Sequence, residues 1–375
     1  MNSGLSVVWR DEYPEGFRFP LGQNLPVSRY REIFEGYSEH LEDDYDHLRQ
    51  QGVPGKELEE LRQELQRGVP FRRAYGGDIP VIEASIPACS DRWLEEVLKG
   101  EVNVASGAPE DHAEAHTLAA EGTREAVDTA LDKEEDVFHI GGGHHHAHTG
   151  GSSDPSFNMI NDLAAGVEAA RDRFEEGYDP RVLVVDLDLH FGDGTISIYR
   201  SDEDVFHFSM HEWNNFPQVD SGWLDYTGSG EAEGTKVNLP LPTGLGGEKY
   251  CEVLEELLPQ VVEEANPDLV LYQAGVDVHH ADELGGLELS REDIYRRDRA
   301  VVEETGDIPL VVTTGGGYES ESHRGKASTN TMAALVGEEM IHDEDAESPG
   351  SSMAADRLDE WYSQLTQNSE LDFLK

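Results

Sequence analysis

The residues between Asp186 and His190 combine carboxylates and an imidazole at a spacing suited to metal binding. Asp186, Asp188 and His190 alternate with leucines, so an extended chain places all three side chains on one face. Two carboxylates and one imidazole on one face suit a divalent metal ion. A strand end with solvated acids is the plainer alternative. Asp193 adds another carboxylate nearby, on a Gly-Asp-Gly turn, so we interpret this run as a metal-binding segment.

A histidine-rich tract at residues 144–148 is the second candidate. It reads His-His-His-Ala-His and directly follows Gly141-Gly142-Gly143. The mid-chain position argues against a purification tag, and a loose metal-scavenging tract is the remaining alternative. Three glycines after an apolar run indicate instead a loop whose backbone approaches another group closely.

Two shorter motifs complete the set. Gly275-Val276-Asp277 and Gly315-Gly316-Gly317-Tyr318 are weak signals alone, because a single Asp is often a helix cap and a glycine run is often a turn. Their value comes from position, since all four motifs directly follow a short apolar run. The runs that we interpret as strands are 137–140, 182–187, 205–208, 269–272 and 310–313.

Amphipathic segments alternate with these strands. Apolar residues recur at three-to-four spacing over residues 113–131, 158–174, 249–264 and 291–304, with Ser290 as the N-cap of the last segment. Strands that are apolar on both faces and alternate with helices predict a parallel sheet under helices, a three-layer α/β fold. In such folds the active site forms at the carboxyl ends of the strands, where the four motifs converge.

The remaining segments fit a single domain over residues 1–375, with a core of about 18–340. Residues 28–66 predict two helices that pack outside the sheet. The acidic stretch 338–350 predicts a surface loop, and residues 353–365 predict a final helix.

The composition is strongly acidic. The chain has 78 Asp and Glu against 28 Lys and Arg, a formal charge of −50, and only seven of the basic residues are lysine. Regular apolar runs argue that this charge lies on a folded surface rather than in a disordered chain. Molar salt would screen the self-repulsion, so we expect a halophilic source. Nucleic acids and anionic membranes are poor partners for such a surface.

Other features predict a cytoplasmic protein. Cys89 and Cys251 show neither metal-ligand spacing nor a disulfide framework. Residues 1–13 lack the basic and apolar segments of a signal peptide. An apolar stretch of 18 residues, long enough to span a membrane, is also absent from the sequence.

Taken in order, the motifs resemble the histone deacetylase family, which includes acetoin-utilisation proteins and acetylpolyamine amidohydrolases. The resemblance covers residues 18–318 and implies an arginase/deacetylase-like fold with one central parallel sheet. The matching motifs are Gly-Gly-x-His-His-Ala at 142–147, Asp-x-Asp-x-His-x-Gly-Asp-Gly at 186–194, Ser-Met-His at 209–211, Phe-Pro at 216–217, Ala-Gly-x-Asp-x-His at 274–279, Asp-x-x-Gly-Gly-Leu at 282–287 and Gly-Gly-Gly-Tyr at 315–318.

The resemblance also implies a set of bound ions. Asp188, His190 and Asp277 would ligate zinc, or alternatively ferrous iron, and three protein ligands leave room for water and a substrate carbonyl. The family holds a monovalent cation, K⁺ or Na⁺, close to this metal. The residues that match its ligands are Asp186, Asp188, His190, Ser209 and Met210. The residues that match a second, weaker cation site are Tyr199, Asp202 and Val205.

Acid–base roles follow from the same resemblance. His146 would be the general base that deprotonates water and then protonates the leaving amine, with His145 as its electrostatic partner. Asp186 and Asp193 would orient His145 and His146 respectively. Tyr318 would donate its hydroxyl to the oxyanion that forms at the substrate carbonyl. His144 occupies a variable position of the motif and receives no role.

The expected substrate is N-acyl-lysine in proteins, with acetylated polyamines as the alternative. Phe216, Asp154 and Gly316 are the predicted substrate-binding residues. The family usually has a second tunnel phenylalanine where this chain carries the stretch around Asp154. The tunnel is therefore expected to be lopsided, with one aromatic wall, Phe216, and to be wider or more polar on the opposite side.

Two other classes of function compete with this hypothesis. A dimanganese ureohydrolase would need further carboxylates for a second metal, and Phe191 and Gly192 supply none directly after His190. A non-catalytic protein that binds acylated tails would be expected to lose the base or the tyrosine. Both His146 and Tyr318 are present.

Overall fold

The computed structural model describes residues 5–9, 32–33, 71–73, 109–133, 135–148, 160–174, 177–217, 224–318, 325–342 and 350–374. Within these residues eight strands form one sheet, in the order β2-β1-β3-β8-β7-β4-β5-β6, and every neighbouring pair is parallel. The strands are β1 Leu5–Trp9, β2 Phe71–Arg73, β3 Asp136–His139, β4 Val182–Asp186, β5 Val205–Glu212, β6 Lys236–Leu241, β7 Leu269–Gln273 and β8 Leu310–Thr313.

Helices cover both faces of the sheet. Along β4, Val184 faces an apolar cluster shared with the first two helices, whereas Leu183 and Val185 face a second cluster shared with the later helices. Successive strand residues point to opposite faces, so burial of the whole strand requires this three-layer arrangement. The helices are α1 Pro109–Lys133, α2 Asp162–Arg173, α3 Asp193–Ile198, α4 Gly247–Ala265, α5 Arg291–Thr305, α6 Lys326–Val336 and α7 Ser352–Leu365.

The predicted three-layer α/β fold with a parallel sheet is confirmed, including the five predicted strands. Ser290 caps α5 as expected, because its hydroxyl accepts the amide of Asp293 while the Asp293 carboxylate accepts the amide of Ser290. Asn161 caps α2 in a similar way, by accepting the amide of Ala164. These caps fix where two of the helices begin.

Several elements were missed. Strand β6 reads Lys-Val-Asn-Leu-Pro-Leu, a polar and proline-containing pattern that a strand at the edge of a sheet tolerates. Strand β1 pairs with β3, so the sheet begins before residue 18, where the predicted core starts. The short helix α3 and helix α6 were not predicted either. The single-domain prediction for residues 1–375 remains a prediction.

Some sequence predictions fall outside the described residues. Of the proposed helical pair at 28–66, only Glu32 and Ile33 are described, and both are helical. Asp154 and Cys89 also lie outside. Cys251 is a buried free thiol on α4. Among the described helices, none is long and apolar enough to cross a membrane.

Candidate active site

The four motif-bearing strands are neighbours in the sheet. They occur in the order β3-β8-β7-β4, and each motif follows the carboxyl end of its strand. Parallel strands end at the same edge, so the histidine tract, the Gly315–Tyr318 loop, Asp277 and the run from Asp186 to His190 meet there. The four motifs therefore converge, as expected from the sequence. The residue at which each strand ends determines which side chains lie at this edge.

Asp188, His190 and Asp277 come together as a buried group whose ligand atoms all lie within 4.8 Å of one another. His190 Nδ1 lies 2.9 Å from Asp277 Oδ2 and 3.3 Å from Asp188 Oδ1. Ligand atoms about 2.1 Å from one tetrahedral zinc ion lie roughly 3.4 Å apart. The three predicted ligands therefore fit a single divalent ion.

Backbone amides orient the two carboxylates of this group. Gly316 N donates to Asp188 Oδ2 at 2.6 Å, and Leu189 N donates to Asp277 Oδ1 at 2.9 Å. A Cβ atom on Gly316 would lie 1.9 Å from Asp277 Oδ2. Gly316 thus lies against the metal-binding carboxylates, and its predicted contact with substrate stays a prediction.

Electrostatics at this group favour a bound cation. Burial raises the pKa of Asp277, and the charge of Asp188 raises it further. Burial opposes charge on His190, but its hydrogen bonds with Asp188 and Asp277 outweigh this and raise its pKa to about 10. Two buried carboxylates need a neighbouring positive charge. A divalent ion held by these residues would supply that charge in place of the proton on His190.

Two histidine–aspartate pairs lie beside the metal-binding group. His145 Nδ1 is 2.8 Å from Asp186 Oδ2, and His146 Nδ1 is 2.8 Å from Asp193 Oδ1. The two imidazole rings are adjacent, with centroids 4.2 Å apart. Each aspartate meets the histidine that the sequence comparison with the family assigned to it.

The two histidines have opposite pKa shifts. Burial lowers the pKa of His146 to about 4, and the positive charge of His145 contributes to the lowering. Burial also disfavours charge on His145, but Asp186 and Asp188 outweigh it and raise the pKa of His145 to about 9. At neutral pH, His146 is therefore a neutral imidazole that can accept a proton beside a charged His145.

Aromatic side chains border the same edge. The ring of Phe216 lies edge-on to His146, with centroids 5.0 Å apart at 87°. The ring of Tyr318 lies 6.0 Å from that of His190. Tyr318 N donates to Asp282 Oδ2 at 2.6 Å, and Asp282 Oδ1 accepts Leu284 N at 2.8 Å. Asp282 therefore anchors the backbone that carries Tyr318.

Sequence reasoning missed three supporting side chains. His148 Nε2 is 2.6 Å from Asp193 Oδ2, so Asp193 contacts two histidines. Asp162 accepts the amides of Gly143 and His144, and Asp282 received no role although it opens a recognised motif. The signal for Asp282 was in the sequence, whereas His148 and Asp162 meet their partners only through the fold.

The glycine run at residues 141–143 behaves as its composition predicted. Gly143 has φ +107°, a region that favours glycine, and a Cβ there would lie 2.6 Å from the Cα of Gly315. The loop after β3 therefore packs directly against the loop after β8. This close approach brings His145 and His146 next to the metal-binding group.

The predicted monovalent-cation residues divide into two outcomes. Asp186, the last residue of β4, is the register partner of Ser209 within β5, so these two residues of the first set lie side by side. In the second set, the carbonyls of Asp202 and Val205 accept hydrogen bonds from Lys236 Nζ.

Fold and site together are of the arginase/deacetylase type: a parallel sheet under helices, with a metal-binding group and two histidine–aspartate pairs at its carboxyl edge. A family model described as the histone deacetylase domain matches residues 84–335, which is more than half of the chain. The protein therefore belongs to the histone deacetylase family.

Individual relatives agree with this assignment. An uncharacterized protein from a Picosynechococcus strain is 38% identical over 48% of this chain and 56% of its own length. A probable deacetylase from Archaeoglobus fulgidus is 33% identical over 59% of this chain and 60% of its own length. An acetoin utilization protein AcuC from Staphylococcus xylosus is 28% identical over 54% of this chain and 51% of its own length. The chain thus spans between half and two thirds of these curated relatives.

A solved structure supports the fold. The crystal structure of the HDA15 HD domain superposes with a TM-score of 0.74 and covers 98% of this chain and 95% of that domain, at 20% identity. At this identity the likeness concerns the fold alone.

Proposed function

We propose that this protein is a metal-dependent deacetylase that hydrolyses the amide of N-acyl-lysine in proteins. The observation that carries the proposal is the neutral His146, held by Asp193 at 2.8 Å, beside a buried group of three metal ligands. Amide hydrolysis needs a base for water, a donor for the amine and stabilisation of the oxyanion. This edge of the sheet offers all three.

A divalent ion held by Asp188, His190 and Asp277 would polarise the acyl carbonyl and make water more acidic. His146 accepts a proton from the attacking water, because its pKa of about 4 leaves it neutral at neutral pH. The same nitrogen then returns the proton to the leaving amine. Asp193 fixes the tautomer through its hydrogen bond with Nδ1, so Nε2 is the nitrogen that would transfer the proton.

Two further groups complete the reaction. The charged ring of His145 lies next to that of His146, with centroids 4.2 Å apart, and stabilises negative charge that develops at the carbonyl. Tyr318 would donate its hydroxyl to the same oxygen, and Asp282 holds its backbone in place. Oxyanion donors of this kind act most strongly when they are positioned before the reaction begins.

The choice of acyl-lysine rests on Phe216, which lies against His146 and offers an apolar wall to the lysine methylenes. Acetylated polyamines are the second candidate, since a carboxylate at Asp154 would tolerate another ammonium.

We further propose zinc as the metal, with ferrous iron as the alternative, and K⁺ or Na⁺ at the first cation set. A cytoplasmic, salt-rich setting is proposed from the composition.

One divalent ion per chain separates this proposal from a ureohydrolase. Among the described residues, the group of Asp188, His190 and Asp277 is the one cluster found that could hold a metal. Intact His146 and Tyr318 argue against a non-catalytic protein that only binds acylated tails. A ureohydrolase would bind two manganese ions per chain, and a non-catalytic binding protein would show no turnover.

The test uses the full chain in molar KCl. Metal content is measured by mass spectrometry, and turnover is measured on an acetyl-lysine peptide and on acetylputrescine in parallel. We expect one divalent ion, lost in Asp277→Ala, and a higher kcat/KM for the peptide. Lys249→Ala, a surface change on α4, serves as a control with unchanged metal and rate. Two manganese ions per active chain, or metal-loaded protein without turnover on either substrate, would contradict the proposal.

A further inference from the structure

Lys236 is a buried lysine in a chain that contains only seven lysines. Its relative exposure is 0%, whereas Lys133, Lys249 and Lys326 are partly exposed. It opens β6 and is the register partner of His207 on β5. A buried ammonium costs free energy unless its hydrogen-bond donors are satisfied, so its surroundings must explain its presence.

The ammonium of Lys236 meets three oxygen atoms. Nζ donates to Val205 O at 2.6 Å, to Thr235 Oγ1 at 2.6 Å and to Asp202 O at 3.3 Å. An ammonium has three protons and no acceptor, so three oxygens match it completely. A neutral amine has two protons, and its lone pair would face one of these oxygens.

The contacts are those of a cation cage rather than of an ion pair. Lys236 Nζ bonds the carbonyl of Asp202, while the carboxylate of Asp202 binds Arg171 at 2.7 Å and the amide of Asp204 at 3.1 Å. Neutral oxygens, two of them backbone carbonyls, surround the positive charge. Carbonyl and hydroxyl oxygens of this kind also replace the hydration shell of K⁺.

The same segment carries Tyr199, Asp202 and Val205, the residues that match the second monovalent-cation site. Asp202 O and Val205 O now accept from Lys236, and Tyr199 O accepts from Asp202 N at 3.2 Å. Each of the three predicted ligand positions is therefore engaged by a donor from this chain. A free cation would have to displace the ammonium and would be repelled by its charge.

We propose that the Lys236 ammonium is a tethered cation that fills this cage, so that the protein binds no monovalent cation between the α3–β5 connection and β6. The ammonium joins the connection at Asp202 to the edge strand β6. A free ion loses translational entropy each time it binds, whereas the Lys236 ammonium is already part of the chain. It therefore does not leave when the salt is diluted. The position is then independent of the surrounding ion, unlike the first set at Asp186 and Ser209.

The direct test is crystallographic and does not depend on turnover. Crystals of the wild-type chain are grown in RbCl, at a pH below the value of about 7 to which burial lowers the pKa of Lys236, and anomalous peaks are located. We expect wild type to show no Rb⁺ peak in contact with Asp202 O and Val205 O. A peak there would overturn the proposal, whatever happens in the variants.

A second test empties the cage. Lys236→Ala removes the ammonium, and Lys236→Met keeps most of its volume without charge, while Lys249→Ala is the matched surface control. Melting temperatures are measured in KCl, in ammonium chloride and in choline chloride at equal ionic strength. We expect Lys236→Ala to melt roughly 5 °C or more below wild type in choline, and about half of this loss to return in K⁺ or ammonium.

The variants distinguish a cage from simple packing. Lys236→Met blocks the space, so it should stay destabilised in all three salts. The Lys249→Ala control should respond to the three salts as wild type does. If Lys236→Ala responds to K⁺ no more than wild type, the cage does not bind cations and the proposal is wrong. Because each readout is independent of catalysis, failure here and failure of the proposed function can be told apart.

Discussion

Two adjacent histidine–aspartate pairs have the same geometry and opposite electrostatics. Both Nδ1–carboxylate distances are 2.8 Å, yet the pKa of His145 rises to about 9 and that of His146 falls to about 4. His145 Nε2 has a second carboxylate, Asp188, at 3.7 Å. His146 faces Phe216 and the charge of His145 instead. The neighbours beyond the pair decide which histidine stays neutral.

The opposite pKa shifts fit the two different roles proposed for these histidines. A base must be neutral to accept a proton, and an electrostatic partner must be charged to stabilise an oxyanion. A divalent ion on Asp188 would offset part of the negative charge that raises the pKa of His145. The order of the two values is expected to persist, because burial and the His145 charge both lower the pKa of His146.

The largest expected effect on turnover comes from removing His146, the neutral histidine of the two pairs. His146→Ala should lower kcat by about 10²–10⁴-fold, since it removes general acid–base catalysis. The three metal ligands are untouched, so metal content by mass spectrometry should equal that of wild type. A wild-type kcat in this variant would assign the base to another residue and remove the distinction between the pairs.

Tyr318→Phe tests whether the two histidines act alone. Removing one oxyanion donor should lower kcat by roughly 10²–10³-fold, with little change in KM for the acetyl-lysine peptide. The phenylalanine keeps the ring next to His190 and the backbone bond to Asp282. An unchanged kcat would show that this hydroxyl does not face the carbonyl, and that charged His145 supplies the stabilisation.

Much of this edge of the sheet was predictable because the motifs are local. Asp186, Asp188 and His190 lie within five residues at the end of an apolar strand, so their common face follows from strand geometry. The Gly141–Gly143 run predicted a close backbone approach, and the backbone of Gly143 packs against that of Gly315. The parallel sheet followed from strands that are apolar on both faces.

What was missed depends on contacts between distant segments. Strand β6 begins with a lysine that would ordinarily mark a solvated position, and Lys236 is buried only because carbonyls of another segment surround it. The contact between His148 and Asp193 joins residues 45 positions apart. The opposite pKa shifts of His145 and His146 depend likewise on burial and on charges contributed by other strands.

His145→Asn breaks the coupling between the pairs without removing the base. Loss of the positive charge beside His146 removes one of the causes that lower its pKa, so that pKa should rise. Proton acceptance then fails at a higher pH, and the acidic limb of the kcat/KM profile should move upward by up to about one unit. An acidic limb that stays in place, with only the plateau lowered, would show that His145 does not set the pKa of His146.

His148 gives the smallest expected effect. Its hydrogen bond with Asp193 raises the pKa of His148, against the effect of burial, and Asp193 itself stays ionised because its pKa is lowered to about 2, with burial opposed by hydrogen bonds to His146 and His148. A raised histidine pKa stabilises the fold below the unfolded value of about 6.5, and this stability is lost as pH rises through the folded value.

His148→Ala should therefore lower the melting temperature at pH below about 6.5 and have little effect at high pH, with a maximum of about 1 kcal/mol because the pair is partly solvated. In this variant Asp193 keeps its hydrogen bond with His146, so kcat should change by only a few fold. His148→Gln, which keeps a hydrogen-bond donor but cannot become charged, is the matched variant. A destabilisation of equal size at low and high pH would mean that His148 acts by packing and not through its charge on Asp193.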